Sequence, residues 1–151
     1  MTETSTPQIP PSIERVLRQF RMMSREEKMA ALVQYSRKLE PLPERFAALD
    51  RTDFNVPECN TRVDIFPEVR DDGTMHFYAD VNARQSPTVA AVLALVFNAV
   101  NGQPPGTTLA IPPDFVRQLM ESIGLGTREV GLNAMLERLK RYARRAERQA
   151  A

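Results

Sequence analysis

The chain has 151 residues, 42% of them hydrophobic and 26% charged, with a formal net charge of +1. That composition suits one soluble globular domain with a core of its own, and the near-neutral charge excludes a global pull toward nucleic acid or anionic lipid. A single cysteine, Cys59, excludes an intrachain disulfide and any metal site built from several cysteines.

Residues 1–11 are rich in Thr, Pro and Ser and lack the apolar core of a signal peptide, so they are expected to form a disordered tail. Ile13, Val16, Leu17 and Phe20 then recur at i, i+3, i+4 and i+7, which predicts an amphipathic helix over Ser12 to Met22. Ser24-Arg25-Glu26-Glu27 has the form of a capping box. It opens a second helix reaching about Leu39, with Met29, Leu32 and Val33 expected inward and Pro41 and Pro43 ending it. Glu44 to Leu49 has room only for a short helical piece.

Next comes a polar loop around Cys59, with Pro57, Glu58 and Asn60 as near neighbours. The residue alone leaves two readings open, a buried packing cysteine or a working thiol. Beyond it Val63, Ile65 and Val69 alternate on one face, with Pro67 marking an edge or bulge. Asp71-Asp72-Gly73-Thr74 signals a hairpin turn, and Met75, Phe77, Ala79 and Val81 alternate with His76, Tyr78 and Asp80 on the returning strand. Two strands alone are marginal, so helices must cover one face, with room for a short third strand.

Ser86-Pro87 reads as an N-cap followed by proline at the first helical position. The helix it opens carries no charge and stops at Gly102, so it belongs at the buried centre of the domain. Its apolar run, Val89 to Val100, is too short to span a membrane. Pro112-Pro113-Asp114 starts another helix through about Ser122. Thr127 is the expected cap of the last helix, with Leu132, Met135, Leu136, Leu139 and Ala143 inward. Arg138, Lys140, Arg141, Arg144, Arg145 and Arg148 on that helix read as a solvated face, with a docking patch for an acidic partner or RNA as the sharper alternative. Without Trp or clustered aromatics, a nucleic-acid module is not expected. The fold class that follows is α+β: a single domain, residues 12–147, with a small antiparallel sheet built on a central hairpin and packed against several helices. Residues 148–151 are expected as a C-terminal tail.

His76 is the only histidine, on the strand face opposite the inward residues, with Asp80 on the same side. A Cys-His hydrolase built from Cys59, His76 and Asp80 is the one enzyme-like constellation, against a plain structural role for both partners. Motifs for phosphate loops, dinucleotide binding and zinc hydrolysis are absent.

Several stretches together resemble the SufE family of sulfur acceptors, over roughly Ser12 to Arg145. They are Leu39-Glu40-Pro41-Leu42-Pro43, Val56-Pro57-Glu58-Cys59, the hairpin Asp71 to Asp80, Ile111-Pro112-Pro113-Asp114-Phe115, and Thr127-Arg128-Glu129-Val130-Gly131-Leu132 running on to Leu136. The family's common Gly-Cys-Gln-Ser-Gln-Val-Trp reads Glu58-Cys59-Asn60-Thr61-Arg62-Val63-Asp64 here. Glu before the cysteine is similar to the actinobacterial branch, whereas Asp64 and Arg62 place charges just after the thiol.

The resemblance implies a sulfur carrier rather than an enzyme. Cys59 would take persulfide sulfur from a SufS-like cysteine desulfurase, stimulate that enzyme and pass sulfur to an iron–sulfur scaffold complex. It implies a SufE/IscU-like fold, no resident cofactor, no membrane association, a monomer or homodimer, and a cytoplasmic location whose reducing conditions keep a lone thiol free. An IscU-type scaffold itself would need several cysteines. Glu58, Asn60, Arg62 and Arg128 are the implied partner-binding or loop-supporting residues, and Phe54, Val56 and Val63 are expected to fold the loop tip against the domain. The alternative is an adaptor or regulator of a desulfurase that kept the fold without transferring sulfur.

Overall fold

A computed structural model describes residues 9–121, 123–124 and 128–150. The expected N-terminal tail falls mostly on residues 1–8, outside that range, as do Ser122 and Thr127, the expected helix end and cap. The described elements run α1 (Pro11–Arg21), α2 (Arg25–Ser36), α3 (Glu44–Ala47), β1 (Asp64–Val69), β2 (Met75–Asp80), α4 (Pro87–Val100), α5 (Pro105–Leu109), α6 (Phe115–Leu119) and α7 (Arg128–Ala150). The architecture is α+β, with one two-stranded antiparallel sheet among the described residues.

The uncharged helix α4 organises the core. Eleven of its side chains are buried, from Val89 to Val100, and it packs against α1, α2, α5 and β2. Helix α1 presents Ile13, Val16, Leu17 and Phe20 to this core, the stripe its sequence predicts. The capping box of α2 is complete: the Ser24 hydroxyl accepts from the Glu27 N–H at 3.1 Å, and the Glu27 carboxylate accepts from the Ser24 N–H at 2.9 Å. Inward positions on α2 differ from expectation, however. Lys28, Leu32 and Ser36 are buried, while Met29 and Val33 are exposed. The lysine is accommodated because its ammonium donates to the Glu121 carbonyl at 2.6 Å.

In the sheet Ile65 pairs with Ala79, Phe66 with Tyr78 and Pro67 with Phe77. One face, with Ile65, Met75, Phe77 and Ala79, joins the main core. The other is covered too: Phe66 and Tyr78 are buried under Phe46 of α3, with Leu42 and Phe54 alongside. Val69, expected inward, is exposed at the strand end. Both sheet edges find partners. On β2, the Met75 N–H donates to the Gln103 carbonyl at 2.9 Å, and the Asn101 amide bonds both the N–H and the carbonyl of Phe77. On β1, the Ile65 N–H donates to the Phe54 carbonyl at 2.9 Å. Isolated bridges at Asn55–Asp64 and Met75–Gln103 stand in for the anticipated third strand. Gly73, with φ of +86°, closes the hairpin turn.

Helix α5 is an addition to the sequence reading, since Pro104-Pro105-Gly106 looks like a loop. Helix α7 is 23 residues long and continues to Ala150, into the segment expected as a tail. Leu132, Met135, Leu136, Leu139 and Ala143 are buried on it as predicted. So is Lys140, assigned above to the solvated face; its ammonium donates to the Ile111 carbonyl at 2.6 Å. No described helix is long and apolar enough to cross a membrane.

Desolvation holds the Lys140 ammonium below its usual value of 10.5, offset in part by Glu137. The unfolded chain therefore binds this proton more tightly than the native one. The resulting destabilisation is fully present below the native value and is relieved as pH rises from there toward 10.5. Denaturant titrations of the parent and Lys140→Met should diverge accordingly, with the parent gaining stability relative to the variant on going from neutral to alkaline pH. Parallel profiles would mean the ammonium is solvated.

Candidate functional site

The loop that carries Cys59 hangs between two buried valines. Val56 and Val63 are 1% and 0% exposed, and the Val56 N–H donates to the Val63 carbonyl at 2.9 Å. Within this closure the Cys59 N–H turns back to the Val56 carbonyl at 3.3 Å. Pro57, Glu58, Asn60 and Arg62 stand in solvent, while Cys59 and Thr61 are half-buried. Cys59 packs against the main core from the edge.

The base of the loop is held by charge. Asp64 is only 1% exposed, and its carboxylate accepts from Arg51, Arg62 and Asn55, each at 3.3 Å. Arg51 also bonds Asp80, and these carboxylate bonds hold its guanidinium above the ordinary range, the Asp80 bond most of all. A buried carboxylate is costly unless paired and hydrogen-bonded, and this arrangement supplies both. Helix α7 supports the same segment. Arg138 donates to the Asp53 carbonyl at 3.2 Å and to the Asn55 carbonyl at 2.9 Å, and the Tyr142 hydroxyl donates to the Ile65 carbonyl at 3.2 Å.

Cys59 opens onto a cavity of about 350 Å³. Glu58, Asn60 and Thr61 line it from the loop, Ser86 to Val89 from the start of α4, and Arg128, Gly131 and Leu132 from the start of α7. Met29, exposed on α2, closes one side. The first turns of two long helices therefore meet beside the sulfur, where their partial positive charge favours an anion. Arg128 adds a full positive charge and reaches the Thr88 hydroxyl at 3.4 Å.

The fold thus gathers Cys59, Glu58, Asn60 and Arg128 around one cavity. Arg62 is not among its lining residues; it pairs with Asp64 instead, and it remains exposed. His76 bonds the Glu40 carboxylate at 2.7 Å and packs at a tilt against Tyr78, and Asp80 is engaged by Arg51. Neither lines the thiol cavity, so the Cys-His-Asp constellation is not assembled there. Arg128, expected to bind a partner or support the loop, meets the Thr88 hydroxyl and stays exposed. Arg138, expected on a solvated face, instead ties the chain leading into the loop. Sequence reasoning also missed Ser86 and Gly131 as site residues. Ser86 was legible as a helix cap and Gly131 lay within a recognised segment, yet nothing local shows that either touches the thiol loop. Among the described residues no cluster of three or more His, Cys, Asp or Glu could hold a metal ion.

The chain belongs to the SufE family, described as an Fe-S metabolism associated domain, whose model matches residues 14–143. It is similar to uncharacterized SufE-like proteins from the CDC 1551 and H37Rv strains of Mycobacterium tuberculosis. Each is 26% identical over 147 residues, covering 95% of this chain and 99% of the relative. A solution structure of a hypothetical protein from Thermus thermophilus superposes with a TM-score of 0.76 at 28% identity, covering 92% of this chain and 98% of that one.

Arg138→Ala should loosen the approach to the thiol loop. Two carbonyls lose a charged donor, which costs roughly 1–3 kcal/mol in all. Amide exchange should quicken at Val56 and Cys59 before it does in α4. Arg138→Lys should restore part of the protection, because an ammonium lacks the fork that spans both carbonyls. Unchanged exchange in Arg138→Ala would show that α7 does not hold the loop.

Proposed function

We propose that this SufE-family chain is a sulfur carrier whose working group is Cys59. Family membership ties it to iron–sulfur metabolism. The finer reading rests on one observation: the only thiol of the chain sits half-buried on an anchored loop, at a cavity between two helix N-termini. The donor would be the persulfide of a SufS-like cysteine desulfurase and the recipient an iron–sulfur scaffold complex. A cytoplasmic location accords with a thiol that must stay reduced between cycles.

The transfer balances without an outside oxidant. The Cys59 thiolate attacks the terminal sulfur of the donor's Cys–S–SH. A sulfur–sulfur bond forms at Cys59 while the donor's own sulfur–sulfur bond breaks, and the donor cysteine leaves as thiolate. The terminal sulfur keeps its proton and moves as Cys59–S–SH, so the exchange is redox-neutral. A second thiolate on the recipient repeats the step. Such exchange depends on thiolate fraction, nucleophilicity and access. The only histidine of the chain is bonded to Glu40 away from the cavity, so no imidazole of this chain serves the thiol. Deprotonation falls to solvent or to the partner's site, which suits a carrier better than a self-sufficient enzyme. Arg128, exposed at the cavity mouth, can meet a carboxylate of the desulfurase, as can Arg62 from the outer side of the loop. Glu58 and Asn60, the sequence neighbours of Cys59, line the same cavity and offer polar contacts to a partner.

Intact mass after incubation with cysteine and a desulfurase should show one added sulfur atom on the parent and none on Cys59→Ser, whose circular dichroism should match the parent's. A parent that gains no sulfur with any desulfurase of its cell is an adaptor, not a carrier. Arg128→Ala should keep the fold and slow transfer at limiting desulfurase, with Arg128→Lys recovering only part of the rate. Equal transfer at every concentration would remove Arg128 from the site.

A further inference from the structure

Arg62 is an exposed arginine held by a buried acid. Its side chain is 69% exposed, whereas the Asp64 carboxylate that accepts from its Nε at 3.3 Å is 1% exposed. That bond uses one edge of the guanidinium. Among the described residues no other protein group takes its two Nη nitrogens, so the rest of the fork stays open to solvent. The acid is fixed independently of Arg62. Arg51 and Asn55 each bond it at 3.3 Å, and Asp80 engages Arg51 in turn. Val63, the residue between, is fully buried and accepts from the Val56 N–H through its carbonyl. Anchor and backbone beneath Arg62 are therefore both set in place. Such preorganisation removes part of the side-chain entropy that an exposed arginine loses on binding. The family's common form has neutral glutamine and an aromatic at these two positions, so the charged pair sets this chain apart from it.

We infer that Arg62, aimed by Asp64, is a specificity-determining residue that selects a cysteine desulfurase presenting a carboxylate beside its persulfide cysteine. The inference rests on the carrier reading and deepens it by naming the chemistry that the partner must show next to Cys59. Arg62 is close to Cys59 in sequence but does not line its cavity, so it can engage a partner's surface without standing in the path of the sulfur. A planar fork held by its Nε edge offers both Nη nitrogens to a carboxylate in parallel, a geometry that a lysine ammonium does not reproduce. A partner with a neutral group there leaves the fork solvated and gains nothing, and one with a basic group is repelled. Specificity is that difference. Asp64 is a positioning residue, since its burial keeps it from touching the partner itself.

The test is the affinity of the full chain for the purified desulfurase of its own cell, measured by titration calorimetry at low and at moderate salt. Arg62→Gln should bind about tenfold more weakly than the parent, the factor for loss of a hydrogen bond to a charged group. Arg62→Glu should lose more, and Arg62→Lys should recover only part. Added salt should weaken the parent more steeply than Arg62→Gln. In transfer assays Arg62→Gln should raise the carrier concentration at half-maximal rate and leave the saturated rate unchanged, the mark of lost recognition rather than lost chemistry. Asp64→Asn keeps the charge of Arg62 and removes its hold, so its affinity should fall between those of the parent and Arg62→Gln. A merely structural Asp64 would lower the unfolding temperature and leave affinity alone. If Asp64→Asn does not fold, the exposed Arg62 variants carry the test. A desulfurase whose own carrier has glutamine at this position should bind the parent no better than Arg62→Gln. Parent-like affinity in Arg62→Gln and Arg62→Glu overturns the inference, and sulfur gained by the parent then keeps the carrier reading. Arg62-dependent binding without any sulfur gain keeps the recognition and loses the carrier reading.

Discussion

A helix with no charged side chain has to be surrounded, and α4 sets that condition for the whole domain. Fourteen residues from Pro87 to Val100 carry eleven buried side chains, so helices and sheet must be arranged about this axis. Burial of this kind supplies the dominant favourable term in folding. The consequence for function is geometric. A helix through the centre brings both of its ends to the surface at defined places. At one end Asn101 to Gln103 completes the edge of β2, so the hairpin does not offer it for pairing with another chain. At the other end the first turn of α4 forms a wall of the thiol cavity. Hairpin and site are therefore positioned by the same buried rod.

Charge plays the corresponding part for the loop. Asp64 occupies a place where the family's common form has an aromatic, and taken alone a buried carboxylate there is unfavourable. The structure resolves this with Arg51, which stacks over Phe66 and bonds both Asp64 and Asp80. One guanidinium thereby connects the start of β1, the end of β2 and the segment before the Cys59 loop. Removing Arg51 would leave the buried Asp64 only Asn55 and the exposed Arg62, a larger loss than any gain from forming the pair. With acid in place of the aromatic, the anchor at this junction is ionic. It also gives Arg62 a partner other than the thiol, so the two charges that follow Cys59 in sequence pair with each other in space.

Local pattern made much of this legible. The stripe of α1, the capping box of α2, the Asp71 to Thr74 turn and the uncharged α4 each follow from residues a few positions apart, and each is present. Failures share one feature, a partner distant in sequence. Lys28 and Lys140 look solvated on a helical wheel, but each aliphatic stem crosses the core margin to a carbonyl, 93 residues away for Lys28 and 29 for Lys140. Arg138 finds carbonyls 83 and 85 residues away. Met29 and Val33 were placed inward because they are apolar, yet the axis of α2 is set by Leu32, Ser36 and the reach of Lys28. Cys59 was found because it is unique and lies in a polar loop; the surfaces that receive it belong to α4 and α7 and carry no signal near position 59.

Those surfaces share a physical peculiarity. Each long helix starts, beside the thiol, in a way that weakens it. Ser86 gives up a capping bond worth about 1 kcal/mol to α4. Gly131 costs α7 about 1 kcal/mol relative to alanine. Arg128 puts a cation where the helix dipole opposes it, at a cost of some tenths of a kcal/mol. Each departure has a local account in the cavity: Ser86 reaches Thr61, Gly131 admits Cys59, and Arg128 reaches Thr88. The capping box of α2 is intact, and the helices that start on proline caps, α1, α3 and α5, have no side-chain cap to lose. Sequences that agree with their fold at every level but one patch tend to have functional constraints at that patch. Here the three line the one cavity that holds Cys59, and the stability they give up is small enough for the buried α4 core to absorb.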